Sequence, residues 1–481
     1  MNLRRVVRML GLVLFVLMGA QLAPLPWCLF PFDERAATGL LVGAASCAIL
    51  GLFFRLLGDD EGELYRRDGV MVVVGAWLLA SIAGAIPYLV SGAIPEIVDA
   101  LFESASGFTT TGASILEDIE SVPTPILFWR SMTQWLGGIG IIVLFVALLS
   151  ELGPGARFLF KLEVPGPKAE ILHARVHETA LVLFRIYLAL SLAQILAMLL
   201  LGASFFDSLT HTFSTVSTGG FSPHSDSIAY FSPAIQAVIL FFMLAAGVNF
   251  ALYYSLIIRK DTHALRDAEL RVYLSLAFLG SLVVAFDVYA ADLSESPGTA
   301  LFDGAFQVVS IITTTGFANS DYSAWPGMAL AVLVALMLAG GCAGSTAGGT
   351  KIIRMLIGWK VAMREVRLTF SPNSVVAIVV GDQVVPEESA RAVVALLLLW
   401  VLGWGGGALL LSVGDTDLVT AATASIATLS NIGPGLAGVG PTENFAFFAD
   451  WQKLVMVFLM WLGRLEFFAV LALLVPRFWR G

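Results

Sequence analysis

Asp99-Ala-Leu-Phe-Glu-Ser-Ala-Ser-Gly-Phe-Thr-Thr-Thr-Gly112 is the stretch on which the fold turns. A short amphipathic run leads into a Thr-rich turn that ends in glycine, and the plan recurs. Phe206-Asp-Ser-Leu-Thr-His-Thr-Phe-Ser-Thr-Val-Ser-Thr-Gly219 and Asp303-Gly-Ala-Phe-Gln-Val-Val-Ser-Ile-Ile-Thr-Thr-Thr-Gly316 repeat it. A divergent fourth copy ends Ala427-Thr-Leu-Ser-Asn-Ile-Gly433. The final glycines are 107, 97 and 117 residues apart. One Thr-Thr-Thr-Gly is an ordinary polar turn; copies at matching places in one chain are internal repeats.

Outward from these turns the chain is apolar. Of 481 residues, 58% are hydrophobic and 13% charged, whereas soluble domains carry about 25% charged residues. A bilayer core needs about 20 apolar helical residues. Ten stretches qualify: 9–30, 36–57, 69–90, 126–149, 180–201, 233–258, 272–291, 325–358 (interrupted), 390–413 and 454–475. Residues 1–20 resemble a secretory signal, but the apolar run continues to Phe30 and more spans follow, so an uncleaved first span is expected. Each turn lies between two spans. The expected fold is an all-α polytopic membrane protein: four pseudo-symmetric helix–re-entrant loop–helix units around a central pore, plus two extra N-terminal helices. The divisions are 1–68, 69–155, 156–265, 266–370 and 371–481.

The segments 91–125, 203–232, 292–324 and 414–450 contain no Lys or Arg, yet hold sixteen acids. Basic residues collect in the alternate loops: Arg66 and Arg67; Arg157, Lys161, Lys168 and Arg175; Arg259, Lys260, Arg266 and Arg271; Lys360, Arg364 and Arg367. With Arg4, Arg5 and Arg8 at the start and Arg477 and Arg480 at the end, this places both termini in the cytoplasm. The acids are either a solvated external face or a mouth that concentrates cations.

Loops this short and apolar suit re-entrant helices that enter the membrane and stop partway. Irregular backbone at that depth must line a cavity or be buried in protein. Main-chain carbonyls can replace the water around a cation without a formal charge that would trap it. Thr110, Thr111 and Gly112, Ser217, Thr218 and Gly219, Thr314, Thr315 and Gly316, and less regularly Asn431, Ile432 and Gly433 are the candidate cation-binding set. Glycine allows the left-handed backbone that aims carbonyls inward, and the negative helix C-termini point the same way.

The chain resembles the Trk/Ktr/HKT superfamily of potassium transporters, the TrkH/TrkG type in particular, over nearly its whole length. Gly107-Phe-Thr-Thr-Thr-Gly112, Ser217-Thr-Gly-Gly-Phe-Ser222, Thr313-Thr-Thr-Gly-Phe317, Asn431-Ile-Gly-Pro-Gly435, Ala343-Gly-Ser-Thr-Ala-Gly-Gly-Thr-Lys351 and Gly463-Arg-Leu-Glu466 carry the likeness. The resemblance implies potassium (K+) uptake across a bacterial inner membrane. It also implies one pore per subunit, a homodimer, and a separate cytosolic nucleotide-binding regulatory ring of the TrkA type. In plant relatives a serine at the first filter position accompanies sodium transport. Gly112 stands there, and Gly219, Gly316 and Gly433 are read as its counterparts, which implies potassium preference.

Two further sites follow. Gly340-Gly-Cys-Ala-Gly-Ser-Thr-Ala-Gly-Gly349 interrupts a span with five glycines, each costing a helix about 1 kcal/mol relative to alanine. Gly340, Gly341, Gly344, Gly348 and Gly349, with polar Ser345 and Thr346, suit a flexible gating loop, as the family likeness implies. The alternative is close helix packing on a Gly340/Gly344/Gly348 ladder. Residues 344–351 mimic a nucleotide-binding loop, but Lys351 comes one place late and Ile352 replaces the hydroxyl. Arg464, inside the last span, costs about 3 kcal/mol unless hydrated or paired. It is expected to face the pore as an electrostatic barrier or gate-loop partner; the alternative is a structural pair with Glu466. Arg130 reads as a structural anchor.

Other functions find little support. A net charge of -9 gives no reason to expect a nucleic-acid partner. Cys28, Cys47 and Cys342 form no pairing framework. His173 and His177 are one helical turn apart without a surrounding zinc motif. No catalytic cluster is visible, so an enzyme is not expected. Within transport, the alternative is a secondary transporter coupling cation movement to protons or sodium.

Overall fold

A computed structural model describes residues 1–29, 32–59, 65–151 and 176–479. Arg157, Lys161, Lys168, Arg175 and Arg480 lie outside the described residues, as do His173 of the His173/His177 pair and the expected division at 155. Every one of the ten apolar stretches contains helix. Among the described residues six helices are long and apolar enough to cross a membrane, and eight if each of two bent pairs counts once. The two-stranded hairpin Val379–Val380 and Gln383–Val384 is the only sheet among them.

The N-terminal helices α1 (Leu3–Leu22) and α2 (Glu34–Leu57) form a hairpin. Lipid tails give apolar side chains no reason to prefer each other, so close backbone approach must hold such helices together. Gly11 and Gly51 supply it. A Cβ on Gly11 would lie 2.9 Å from the Gly51 carbonyl oxygen, and one on Gly51 3.1 Å from that of Gly11. Buried Gln21 ties the hairpin to α3 (Arg66–Ser91) by donating to the Ala83 carbonyl at 3.0 Å.

Four short helices lie between the spans: α4 (Ile97–Phe108), α7 (Phe205–Val216), α11 (Pro297–Ile312) and α15 (Leu418–Leu429). At 1.5 Å per residue, twelve to sixteen residues cannot cross a core about 30 Å thick. Three of the four have side-chain N-caps. Ser204 accepts the Asp207 amide, Ser296 the Thr299 amide, and Asp417 the Val419 and Thr420 amides. The long partners are α3 and α5 (Thr124–Glu151), then α6 (Val176–Leu200) and α8 (Pro233–Ala246), then α10 (Ala268–Ala290) and α12 (Gly327–Ala339), then α14 (Glu387–Leu411) and α16 (Asp450–Arg464). The fourth unit packs back on the first, and buried Lys453 of α16 pairs with Asp99 of α4 at 2.5 Å, closing the ring.

Three of the ten stretches are not single helices. The glycine-rich break after α12 was expected; the other two breaks were not. The sixth bends by 92° between α8 and α9 (Phe250–Ile258), and the tenth by 118° between α16 and α17 (Phe468–Leu474). At the sixth, the Gly247 carbonyl accepts the Cys342 amide and the Phe250 amide donates to the Gly344 carbonyl, both at 3.0 Å. Groups freed by the bend are thus satisfied by the glycine-rich loop. At the tenth, Glu466 and Phe467 take φ of 54° and 42°, and Glu466 is paired with Arg354 of α13 (Ile352–Phe370).

Replacing Gly11 by leucine should wedge α1 from α2. Overpacking of this kind costs about 1–3 kcal/mol, read as a lower unfolding midpoint of the detergent-solubilised protein, and an unchanged midpoint would contradict the close contact.

Candidate functional site: four turns around an axis

Each short helix ends in the same cap. The amides of Thr111, Gly219, Thr315 and Ile432 reach back five residues to the carbonyls of Ser106, Ser214, Ser310 and Ala427, at 2.8, 2.7, 2.9 and 2.8 Å. The preceding amides, of Thr110, Thr218, Thr314 and Asn431, reach back three, at 3.0, 2.9, 3.0 and 3.3 Å. This double closure needs a left-handed residue, usually glycine. Here it is Thr110, Thr218, Thr314 and Asn431, at φ of 54°, 55°, 56° and 55°. Each such residue costs about 1–3 kcal/mol and persists only where its surroundings over-determine it. Two residues on, Gly112, Gly220, Gly316 and Gly433 are left-handed again, at 81°, 81°, 81° and 100°.

The second turn therefore differs from the sequence expectation. Gly220, not Gly219, matches Gly112, Gly316 and Gly433, and Gly219 takes the place of Thr111, Thr315 and Ile432. Ser217 moves to the helix cap, level with Thr109, Thr313 and Ser430. The spacings become 108, 96 and 117 residues. The Gly-Phe pairs Gly220-Phe221 and Gly316-Phe317 were the available signal; the double glycine masked it.

The four turns meet. A Cβ on Gly112 would stand 2.2 Å from the carbonyl oxygen of Gly219, on Gly220 1.9 Å from that of Thr315, on Gly316 1.9 Å from that of Ile432, and on Gly433 2.8 Å from that of Thr111. Each turn's glycine thus touches the next turn's carbonyl, and the fourth returns to the first. A side chain at any of these positions has no room. With left-handed residues two apart in every turn and a carbonyl of each turn against the glycine of the one before, the ring can offer main-chain oxygens to a cation. Asn431 joins the fourth turn to the first by donating to Thr111 Oγ1 at 2.9 Å. Gln134 brackets the second, donating to the Gly219 carbonyl at 2.6 Å and accepting the Phe221 amide at 3.0 Å. Gln134 had no sequence signal beyond being polar within an apolar segment.

Outside the ring, the four left-handed glycines floor a vestibule. Of the sixteen acids, Glu117 and Glu443 line it. Others are structural. Glu103 is buried against Arg130 at 2.5 Å, Asp99 pairs with Lys453 and Asp207 with His224 at 2.8 Å. Burial alone would raise the Glu120 carboxyl, but hydrogen bonds from Ser225 outweigh it and hold Glu120 below its ordinary range. Arg130 is an anchor in the plain sense: it pairs with Glu103, donates to the Ser222 carbonyl at 2.8 Å and lies 3.6 Å from the Phe221 ring centre.

Inside the ring, residues 340–351 form an irregular loop rather than a helix, so the glycine ladder does not form. Gly340, Gly344 and Gly349 are left-handed, and so is Lys351, at 70°, 73°, 75° and 71°. Ser345 donates to the Cys342 carbonyl at 2.6 Å. A Cβ on Gly341 would lie 2.6 Å from the Ala347 side chain. The Gly348 amide donates to Thr314 Oγ1 at 2.6 Å, and a Cβ there would be 2.2 Å from the Ser430 carbonyl. Thr346 donates to the Val216 carbonyl at 3.0 Å and the Ala246 carbonyl at 3.3 Å. The loop therefore lies directly under the second, third and fourth turns. Arg464 donates to the Thr346 carbonyl at 2.8 Å and the Gly137 carbonyl at 3.2 Å, while Glu466 pairs with Arg354. Two loop supports went unread in the sequence. Glu269 accepts the Ala343 and Ile353 amides at 2.8 and 3.0 Å, and Lys351 donates to the Ala347 carbonyl.

Membrane helices wrapped around four inward-facing glycine turns define a polytopic membrane transport protein. The model of the TrkH family, described as cation transport protein, matches residues 42–480. The chain belongs to that family, whose members are transporters rather than enzymes. It is 36% identical to the Trk system potassium uptake protein TrkH of Salmonella typhimurium, 38% to TrkH of Halomonas elongata, each over 100% of both chains, and 33% to TrkG of Escherichia coli over 100% of this chain and 99% of that one. The crystal structure of the potassium transporter TrkH from Vibrio parahaemolyticus superposes with a TM-score of 0.90 at 34% identity, covering 100% of both chains.

The corrected register is testable. Gly220→Ala should abolish rubidium uptake in proteoliposomes, because its Cβ meets a neighbouring backbone carbonyl. Gly219→Ala first meets the end of the Gln134 side chain, not backbone, and should retain measurable uptake; the reverse order would restore the original alignment.

Proposed function

We propose that the chain takes up potassium across a bacterial inner membrane, selecting it at the ring of main-chain oxygens. The closed contact of each turn's glycine with the next turn's carbonyl carries this reading. Oxygens from residues 110 and 111, 218 and 219, 314 and 315, and 431 and 432 replace the hydration shell. The potassium named in its relatives fits a neutral carbonyl ring. The lysine- and arginine-rich loops put both termini in the cytoplasm, and the chain divides into 1–68, 69–155, 156–265, 266–370 and 371–481.

Residues 340–351 act as the gate. They fill the path under the turns, they bend at left-handed glycines, and Arg464 holds them through Thr346. The guanidinium also opposes a cation leaving the ring. Assembly as a homodimer with a cytosolic nucleotide-binding ring of the TrkA type follows from family likeness. The broken helices at residues 247–249, 340–351 and 465–467 also suit a coupled secondary transporter.

Rubidium uptake into proteoliposomes, with potassium, sodium and proton gradients varied in turn, tests substrate and coupling together. Uptake that follows membrane voltage and ignores the proton and sodium gradients is expected; absence of rubidium uptake would overturn the reading. Arg464→Ala should raise basal uptake several-fold at unchanged protein yield, and unchanged flux would remove Arg464 from the gate.

A further inference from the structure

The outer limbs of the turns are held by side chains that the ring itself does not explain. Glu103, His211 and Gln307 each stand seven residues before the left-handed residue of their turn, 103 to 110, 211 to 218 and 307 to 314. All three are 0% exposed. Each reaches forward over the turn. Glu103 accepts the Ser114 hydroxyl and the Ile115 amide, both at 3.0 Å. His211 Nδ1 lies 2.9 Å from the Asp207 carbonyl oxygen and so carries the proton, which leaves Nε2 to accept the Ser222 hydroxyl at 3.0 Å. Gln307 Nε2 donates to Asn319 Oδ1 at 3.0 Å. Three different side-chain chemistries thus make one connection at one helical position.

We propose that Glu103, His211 and Gln307 are positioning residues: each clamps the outward limb of its turn to its own short helix and so sets the spacing of the oxygen ring that discriminates potassium from sodium. The inference rests on the selectivity reading above. The clamped limb begins just past Gly112, Gly220 or Gly316, so a slack clamp lets that glycine retreat from the neighbouring carbonyl. A ring whose oxygens can close on a smaller ion accepts sodium. The fourth unit lacks the clamp, with Ala424 at the corresponding place. Its limb is held instead by Thr423, which accepts the Leu436 amide at 3.0 Å, and from the third unit by Tyr322, whose hydroxyl donates to the Gly435 carbonyl at 3.2 Å. The limb of the fourth turn is thus held as well, but by a threonine one position earlier on its helix and by a neighbouring unit.

The test is the rubidium-to-sodium uptake ratio of purified variants in proteoliposomes, with the unfolding midpoint measured alongside. Ser222→Ala deletes one hydroxyl from the His211 clamp, and Gln307→Leu removes a clamp at nearly constant volume. Each should lower the ratio about five- to tenfold, the worth of one buried hydrogen bond. His211→Gln, which puts in the second unit the side chain the third already uses, should keep the ratio within about twofold of wild type. If Gln307→Leu does not assemble, Ser222→Ala decides. A selective wild type with equally selective Ser222→Ala protein, whatever its midpoint, overturns the inference alone. A wild type that takes up rubidium and sodium equally overturns the selectivity reading and the inference with it.

Discussion

Main-chain groups at membrane depth have no water to turn to, and this requirement shapes everything around the axis. A helix that stops partway leaves its last carbonyls without partners. The double cap recovers some of them by reaching back five and three residues. It does so by forcing threonine or asparagine into a left-handed conformation, four times over. The remaining carbonyls stay available along the axis. The same geometry that satisfies the helix end thus leaves oxygens where an ion can use them.

The strain in those caps is balanced by dense cross-connection. Gln134, Asn431 and Thr314 each join a turn to another element, and the fourth unit returns to the first through Lys453 and Asp99. Beneath the ring, the loop 340–351 is bound by Gly247 just past α8, by Glu269 in the first turn of α10 and by Arg464 at the end of α16. The broken helices are therefore one feature seen from several sides. The break after α8 exchanges backbone hydrogen bonds with the loop, and the break after α16 is tied to it by the Arg464 side chain.

The apolar stretches that hold helix, the short helices and the turns were legible because apolar length and the Thr-Gly pattern are local properties of the chain. The register of the second turn was not, since Gly219 and Gly220 offer two glycines for one left-handed position and only the neighbouring carbonyl of Thr315 decides between them. The bends at 247–249 and 465–467 were also hidden. Gly247 is one glycine in an apolar run, and Leu465, Glu466 and Phe467 contain no helix breaker at all; Glu466 at that bend pairs with the sequence-distant Arg354. Most of the sixteen outer acids looked alike on paper, whereas burial separates Glu103, locked against Arg130, from Glu117 and Glu443 on the vestibule wall.

The ring is encoded in one polypeptide, and its corners are not copies. A channel assembled from identical subunits changes all its corners with every substitution. Here threonine, glycine, threonine and isoleucine precede the four glycines, so each quarter of the ring can drift on its own. On the proposed reading of the ring, ion preference can be adjusted in quarter steps, and an off-axis ion position, nearer one wall than its opposite, becomes available to a pore whose backbone looks fourfold.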